Sequence, residues 1–373
     1  MDELRQIFKL YHEVLNEGSS AVLASVVKTS GSTYRRSGAR MLIAKDGKSA
    51  GLISGGCVEA DLRERSAPLF AGGLPSMVTY DSTSGDDILW GLGLGCTGVA
   101  EILLEQVSRE HQSKAIEFLE ACRQRRCPGV MATVLRVERQ LQPERYVRAC
   151  LSDGSWSCDG MFDDATTSVL REACEAVLET GVPVHKTISS SLGSLDVFVE
   201  YLSPPPSLVI FGAGPDAVPI ARLASELGWT VSVVDAREAY LTRAAFPEAE
   251  ALVAAPAEEM VERVTMTENG LALVMTHNFN RDCTILQKLF HTEARYIGLL
   301  GPRAKADLLL DQIRREGMEI SERALERFHA PVGLDIGAET PEEIAHSVIS
   351  EMLAVLHGRH GEFLRNLTGR IHA

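Results

Sequence analysis

The sequence predicts an α/β protein in which an N-terminal α+β domain precedes a doubly wound parallel sheet. After residue 206, strand-like and helix-like segments alternate as they do in βαβ units, whereas hairpin and helix signals are mixed before it. Three consecutive prolines at 204–206 cannot continue a helix or a strand, so they form a stiff spacer. We therefore predict one domain at 1–203, a linker at 204–206 and a second domain at 207–373.

Length, charge and hydropathy restrict the possible classes of function. A chain of 373 residues exceeds the roughly 250–300 at which a single core stops growing, so two domains are expected. The net charge of −14 disfavours non-specific binding to nucleic acids and anionic membranes. No apolar stretch reaches the roughly 18–20 residues that span a bilayer, and the N-terminus lacks a signal-peptide pattern. We therefore expect a cytoplasmic protein that binds neither nucleic acid nor membrane.

The N-terminal domain is predicted to begin with an amphipathic helix at 1–18, followed by the strand "AVLASVV". A hairpin at 39–54 turns at Asp46 and Gly47, and a helix begins after the glycines that follow it. The remaining predicted elements are the strands "PSMVTYD", "VAEILLEQV" and "VMATVLRV", helices near 112–126 and 162–180, and the strand "LDVFVEYL". The sequence shows no internal repeat.

The first segment of the C-terminal domain has the pattern of a Rossmann-like nucleotide site. Residues 207–237 predict a strand, a glycine turn, a helix, a second strand and a terminal acid. In "GAGPDA", Gly212 permits the tight turn and Gly214 lets a pyrophosphate approach the backbone at the helix start. Asp235 ends the second strand, where a ribose hydroxyl would be bound. A Rossmann-like scaffold with a vacant or repurposed site is the alternative.

Two further loops follow predicted strands at the carboxyl edge, where ligands of such sheets bind. The segment "VMTHNFNRD" supplies His277, and "GLLGPRAK" places Arg303 at the start of a helix, where a positive side chain and the helix dipole favour an anion. An ordinary cap or surface residue is the alternative for each. A final helix begins at Pro341 and ends before Gly358.

The eight cysteines include no CxxC pair, so we expect thiols rather than disulfides or a zinc site. Cys57 follows Gly55 and Gly56 at a predicted helix start, and Cys96 follows Gly95 in the glycine-rich run "LWGLGLGC". Bare glycine backbone permits close approach of a ligand, and thiolates suit transition metals and sulfur transfer. Thiols on two loops that meet would form one such site, whereas separate buried cysteines are the alternative.

The loop "SGSTYRRSGAR" concentrates positive charge in an acidic protein. Arg35, Arg36 and Arg40 lie within six positions of each other. Guanidinium groups bind phosphate and carboxylate oxygens bidentately, so the loop is a candidate anion site. A solvated basic turn is the alternative.

Five segments of the chain resemble, in order, the signature segments of the XdhC/CoxI family, the maturation factors of xanthine and carbon monoxide dehydrogenases. These segments are "TSGSTYRRSGARMLI", "GLISGGCVEADL", "LWGLGLGCTG", "FGAGPDAVPIARLASELGWTVSVVDAR" and "PVGLDIGAETPEEIAHSVISEMLAV". The resemblance favours a chaperone over an enzyme with catalytic turnover. It implies that this chaperone binds the molybdenum cofactor, as molybdopterin or its dinucleotide form. It also implies that the chaperone protects the cofactor, assists its sulfuration with a cysteine desulfurase and inserts it into an apo xanthine dehydrogenase-type enzyme.

The resemblance also implies roles for particular residues and an assembly state. Cys57 and Cys96 occupy the family's two glycine–cysteine segments, where they would bind the metal and handle sulfur, and the three arginines occupy its basic loop. The family analogy implies a homodimer. One departure is Thr97, where many relatives have glycine.

Two alternatives from other classes remain open at the level of sequence. An NAD(P)-dependent oxidoreductase would explain "GAGPDA" and Asp235, with His277 as the candidate for proton transfer. A regulatory module would use the same Rossmann-like half to sense a nucleotide during molybdoenzyme assembly.

Overall fold

The computed structural model describes residues 3–82, 98–138, 146–160, 162–191, 193–366 and 368, and of Cys57 it describes the backbone. The chain divides into two compact units, one of residues 3–204 and one that includes residues 205–373. The first unit combines antiparallel sheets with helices, and the second contains a parallel sheet. The predicted fold class is therefore confirmed. No helix in the described ranges combines the length and the apolar character needed to cross a bilayer.

The first unit begins with a helix, and its first five strands form one antiparallel sheet of order β3-β2-β1-β5-β4. The bounds are α1 (Glu3–Glu17), β1 (Ala21–Gly31), β2 (Arg40–Ala44), β3 (Ser49–Gly51), α2 (Cys57–Phe70), β4 (Ser76–Asp81) and β5 (Gly98–Val107).

A second antiparallel sheet of order β8-β7-β6-β10-β9 follows in the same unit. The bounds are α3 (Lys114–Arg125), β6 (Gly129–Val137), β7 (Arg148–Ser152), β8 (Ser155–Cys158), α4 (Asp164–Thr180), β9 (Val184–Ser190) and β10 (Gly193–Leu202).

These two segments are structural repeats, although the sequence itself shows no internal repeat. The order of elements is the same in the first repeat (residues 3–107) and in the second (residues 114–202). The register is also the same, since Ser25 pairs with Arg40 as Thr133 pairs with Arg148. The bulge of β1 recurs at the corresponding place in β6. The repeat escaped sequence analysis because a sheet register constrains burial and turn geometry much more than residue identity.

The repeats are joined by a shared core and by two reciprocal ion pairs. Val27 and Leu135, which occupy the equivalent bulges, lie in one apolar cluster together with Leu103, Tyr146 and Phe198. In each ion pair, an arginine at the start of the second strand of one repeat meets a glutamate of the last strand of the other. The pairs are Arg40 with Glu200, and Arg148 with Glu105. All four side chains are largely buried.

The second unit is built on a parallel sheet of order β13-β12-β11-β14-β15-β16. Its elements are β11 (Ser207–Phe211), α5 (Ala217–Glu226), β12 (Thr230–Asp235), β13 (Ala251–Ala254), β14 (Gly270–Val274), α6 (Phe279–Leu289), β15 (Tyr296–Leu299), α7 (Arg303–Arg315), α8 (Glu322–Glu326), β16 (Phe328–His329) and α9 (Pro341–Leu356).

Helices cover both faces of this sheet, as the alternating pattern of apolar segments predicts. On β11, Val209 packs with residues of α6 and α7, whereas Ile210 packs with residues of α5 and α9. Successive strand residues point to opposite faces, so a strand that is apolar throughout is buried on both sides. The strand order reverses beside β11, and the loops after β11 and β14 therefore flank the position where ligands of open α/β sheets bind.

A half-buried carboxylate on α9, that of Glu351, holds the segment after β16. The backbone N–H of Gly333 donates to Glu351 at 2.9 Å, and the hydroxyl of Tyr296 donates to the same carboxylate. His329 lies 3.5 Å from Glu351 and stacks on the ring of Tyr296, with 4.3 Å between ring centroids. Burial alone would raise the pKa of Glu351, but the contacts from His329, Tyr296 and Gly333 lower it overall.

Glu351→Gln is therefore expected to destabilise the protein by about 1–3 kcal/mol at pH 6, because the replaced carboxylate accepts partly buried hydrogen bonds. The folded pKa lies below the unfolded value, so this stabilisation is present above the unfolded pKa and disappears as pH falls through the folded pKa. Urea unfolding at pH 6 and at about pH 3.5 should show the two proteins converging in acid. Exposed Glu342→Gln on the same helix is the control, and an equal gap at both pH values would contradict the assignment.

Candidate functional site

A recess lies in the first repeat, beside the start of α2. We call it the α2 recess. Its walls include residues of β1, β4, β5 and the loop after β1, together with the turn that enters α2. The side chains that line it include Ser54 and Val58 at the helix start, Tyr80 and Ser82 at the end of β4, and Ala100 on β5.

One buried carboxylate organises the turn that enters α2. Glu59 is 6 % exposed and accepts hydrogen bonds from the backbone N–H groups of Ile53, Ser54 and Gly56 at 2.5–3.0 Å. It also accepts one from the hydroxyl of Ser54 at 2.6 Å. Burial alone would raise the pKa of Glu59, but the hydrogen bonds lower it overall, so the carboxylate is ionised at neutral pH. Four hydrogen bonds to one carboxylate therefore hold the turn.

The two residues in front of Cys57 are glycines, so the main chain there carries no side chains. Gly56 has φ +123°, a backbone conformation that disfavours other residues. Among the described residues, no atom lies within 4 Å of a Cβ added at Gly55 or Gly56, so both glycines face space that the described chain leaves open. Cys57 begins α2 at the end of this turn. The described residues therefore leave the backbone in front of Cys57 open to a ligand.

Cys96 and Gly95 lie outside the described residues, so the predicted meeting of the two thiols stays a prediction. The residues on either side of that segment, Ser82 and Gly98, both line the α2 recess. They pair with each other, since the N–H and hydroxyl of Ser82 donate to the carbonyl of Gly98 at 3.0 and 2.8 Å. The two described residues that flank 83–97 in the sequence therefore both lie at the recess.

The three arginines of the basic loop have different surroundings. Arg35 lines the α2 recess and makes an ion pair with Glu3 at 2.9 Å, and Arg36 is exposed on the same loop. Arg40 is buried, donates to the carbonyl of Gly38 at 2.7 Å and forms the ion pair with Glu200 described above. Because its guanidinium is engaged inside the fold, we do not carry Arg40 into the proposed anion site.

Five of the other six cysteines, all except Cys127, have the surroundings of packing residues. Burial raises the pKa of Cys150 and of Cys174 to about 12. It also raises the pKa of Cys122, Cys158 and Cys283. Protonated thiols are poor nucleophiles and poor metal ligands. Within the part of the chain that the structure describes, no cluster of three His, Cys, Asp or Glu side chains could hold a metal ion.

In the second unit, the glycine turn after β11 has the predicted tight geometry. Gly212 has φ +123°, and a Cβ there would lie 2.4 Å from the carbonyl oxygen of Met275. Asp235 accepts a hydrogen bond from the N–H of Ala213 at 2.7 Å and is also bound by the guanidinium and N–H of Arg237. Burial alone would raise the pKa of Asp235, but these bonds lower it. Asp235 thus joins the ends of β11 and β12.

A carboxylate and an imidazole lie close together at the point where the strand order reverses. Asp216 and His277, on the loops after β11 and β14, lie 2.7 Å apart, and His277 has a left-handed backbone with φ +56°. A carboxylate oxygen of Asp216 lies 2.5 Å from the ideal Cβ position of Gly214. An anionic ligand that approaches Gly214 must therefore displace Asp216.

The third predicted loop places Arg303 at the first position of α7, exposed to solvent. Next to it, Lys305 forms an ion pair at 2.6 Å with Asp282, which is fully buried and accepts from the hydroxyl of Thr276 at 2.6 Å. Sequence reasoning missed Asp216, Asp282 and Lys305, because nothing in their local sequence shows that they meet. It also missed Glu59, although a glutamate three positions after a helix cap is a recognised capping signal.

Comparisons with known proteins match both units. A protein-family model described as the XdhC and CoxI family matches residues 14–81, and one described as the XdhC Rossmann domain matches residues 208–352. A protein of Bacillus subtilis described as a probable xanthine dehydrogenase subunit is 34% identical over 343 residues, which is 91% of this chain and 94% of the relative. The molybdenum cofactor insertion chaperone PaoD of Escherichia coli is 23% identical over 355 residues, 95% of this chain and 89% of PaoD. A crystal structure described as a xanthine dehydrogenase from Bacillus halodurans superimposes with a TM-score of 0.74 at 28% identity, covering 96% of this chain and 97% of that one.

Proposed function

The chain belongs to the XdhC and CoxI family, and from this membership we propose that it is a maturation factor for the molybdenum cofactor of xanthine dehydrogenase-type enzymes. In this role it binds the cofactor as cargo in the cytoplasm, shields it, assists its sulfuration together with a cysteine desulfurase and transfers it to the apo-enzyme. The homologue PaoD, named as a molybdenum cofactor insertion chaperone, supports this proposal. A homodimer is part of the proposal.

The observation that carries the proposal is the bare backbone in front of Cys57. Gly55 and Gly56 leave open space at the start of α2, and Glu59 holds the turn so that Cys57 begins the helix. We assign the metal end of the cofactor to Cys57 and Cys96, because soft thiolates suit transition metals and sulfur carriage. The open backbone at Gly55 and Gly56 beside Cys57 supports this assignment.

Positive charge near the recess supplies a contact for the phosphate tail of the cargo. Arg35 lines the recess, and Arg36 is on the same loop. Because Arg35 pairs with Glu3, a phosphate has to compete with that carboxylate for the guanidinium. Gly95, beside Cys96, is assigned to the same glycine-lined approach.

The second unit supports a subsidiary role in nucleotide binding, carried by the tight turn at Gly212. The nucleotide would be the dinucleotide part of the cofactor or NAD(P), held by Gly214, Asp235, His277 and Arg303. Tight stoichiometric NADPH binding with turnover of a small carbonyl would favour the alternative of an oxidoreductase. Nucleotide binding that alters cofactor affinity without turnover would favour a regulatory module.

Replacement of the two cysteines tests the main proposal. In protein purified without oxygen from cells that make molybdopterin, we expect Cys57→Ala and Cys96→Ala each to lower bound molybdenum, and the double variant to lower it at least about tenfold, the loss from removing about 1.4 kcal/mol of binding. The readouts are metal analysis and fluorescence of the extracted pterin. Cys127→Ala, in the same unit, is the matched control. Wild-type molybdenum and pterin content in the double variant would show that the thiol assignment is wrong.

A further inference from the structure

The two repeats of the first unit provide an internal comparison for the α2 recess. Tyr80 on β4 pairs with Ala100 on β5, and the equivalent pair in the second repeat is Ile188 with Leu195. Leu195 is fully buried in the core beneath α4, whereas Ala100 lines the recess and is partly exposed. The same place in the fold is thus filled in one repeat and open in the other.

The residues in front of the two helices differ in the same way: the side chain is large before α4 and missing before α2. Before α4, Phe162 packs against the core, and Asp163 caps the helix by accepting from the N–H of Thr166 at 2.7 Å. Counted from the helix caps, Gly55 takes the position of Phe162 before α2, and the turn there is held by Glu59. The second repeat shows that this fold closes the space with ordinary apolar residues and an ordinary cap.

An opening of this kind loses packing that the second repeat retains. Missing side-chain volume in an apolar region reduces stability through the contacts and burial that are forgone. The small residues Gly55 and Ala100 and the unusual cap at Glu59 act together to keep the first repeat open. The described residues of the unit do not fill this space, and a ligand that fills it would account for the small side chains.

The walls of the recess suit a flat ring. Val26, Val58 and Ile102 provide apolar surface. Tyr80 provides an aromatic ring whose hydroxyl donates to Asp61, and this bond fixes the ring orientation. Burial and the Asp61 carboxylate raise the pKa of Tyr80, so the hydroxyl stays a donor at neutral pH. Aromatic rings stack on such surfaces in offset or edge-on arrangements.

We propose that the α2 recess binds a planar heteroaromatic ring, the pterin of the cargo, against Tyr80 and Ala100. This assignment rests on the proposed function for the identity of the ring. The polar edge of the pterin faces the mouth of the recess, beside the glycines in front of Cys57. The second repeat, in which Leu195 and Phe162 take the corresponding space, does not bind the ring.

Reciprocal substitutions in the two repeats test the assignment, with 6-hydroxymethylpterin as a fluorescent probe. Ala100→Leu introduces the side chain of the second repeat, and we expect it to weaken probe binding at least tenfold while the urea midpoint is maintained. Ala100→Val, a smaller change, should give an intermediate loss and serves if the leucine variant does not fold. Leu195→Ala is the matched control: it should lower the urea midpoint and leave probe affinity within twofold.

The choice of probe separates this assignment from the proposed function. The probe carries no metal or dithiolene, so its binding tests the recess, whereas the molybdenum content of the cysteine variants tests the thiols. If the wild type binds the probe and Ala100→Leu does not, the recess assignment holds even where molybdenum content is unaffected by the cysteines. Absence of probe binding by the wild type, or equal binding by Ala100→Leu, would overturn it.

Discussion

Glu105→Gln is expected to lower the free energy of unfolding of the first unit by about 3–5 kcal/mol, because it leaves a buried guanidinium without its counter-charge. Arg148 is 7 % exposed, and both of its terminal nitrogens donate to the Glu105 carboxylate, one at 3.0 Å. The pair links the last strand of the first repeat to the second strand of the other. Chemical denaturation followed by circular dichroism measures the loss.

The reciprocal pair provides an internal check on this expectation. Glu200→Gln should cause a loss of similar size, since Arg40 is equally enclosed and pairs with Glu200 as Arg148 pairs with Glu105. Exposed Glu110→Gln should change stability by less than about 0.5 kcal/mol. Replacing both members of one pair with apolar residues, as in Arg148→Met with Glu105→Leu, should recover much of the loss. A loss below about 1 kcal/mol for both single variants would show that the pairs do not hold the repeats together.

Glu59→Ala is expected to release the turn in front of Cys57 and to destabilise the first unit by about 2–4 kcal/mol, because buried donors that lose a charged acceptor are costly. Its carboxylate accepts the N–H groups of Ile53, Ser54 and Gly56. Amide hydrogen exchange should therefore accelerate at 53–56 well beyond the change in global stability.

Two variants control this prediction. Glu59→Gln keeps one acceptor oxygen but turns an amide donor toward other donors, so an intermediate loss is expected. Glu64→Gln, exposed on the same helix, should leave both exchange and stability unchanged. Unaltered exchange at 53–56 in Glu59→Ala would contradict the role assigned to the carboxylate.

Much of the fold could be predicted because its signals are local. The apolar run that becomes β11, the glycine turn at Gly212 and the acid at Asp235 lie within one βαβ unit. The final helix begins at Pro341, where a capping box with Thr340 and Glu343 closes its first turn. Such signals depend on residues a few positions apart, so they are visible without knowledge of the packing.

The internal repeat and the burial of Arg40 could not be predicted in the same way. The basic loop is polar and rich in glycine, which predicts exposure, yet Arg40 meets Glu200 from the last strand of the other repeat. Likewise, Asp216 and His277 are separated along the chain and meet because parallel strands end at one edge. Long-range pairing of this kind is decided by sheet order and register.

By itself the sequence determined the fold class, the family and the cysteine that follows two glycines at a helix start. Tertiary structure decided that one repeat has an open recess while its counterpart is filled, and that Arg40 is a buried link instead of an anion ligand. Short-range signals determine elements because backbone conformation depends on neighbouring residues. Which side chains meet, and what space stays open between them, depends on how strands distant in sequence align, and burial then fixes the role of each charge.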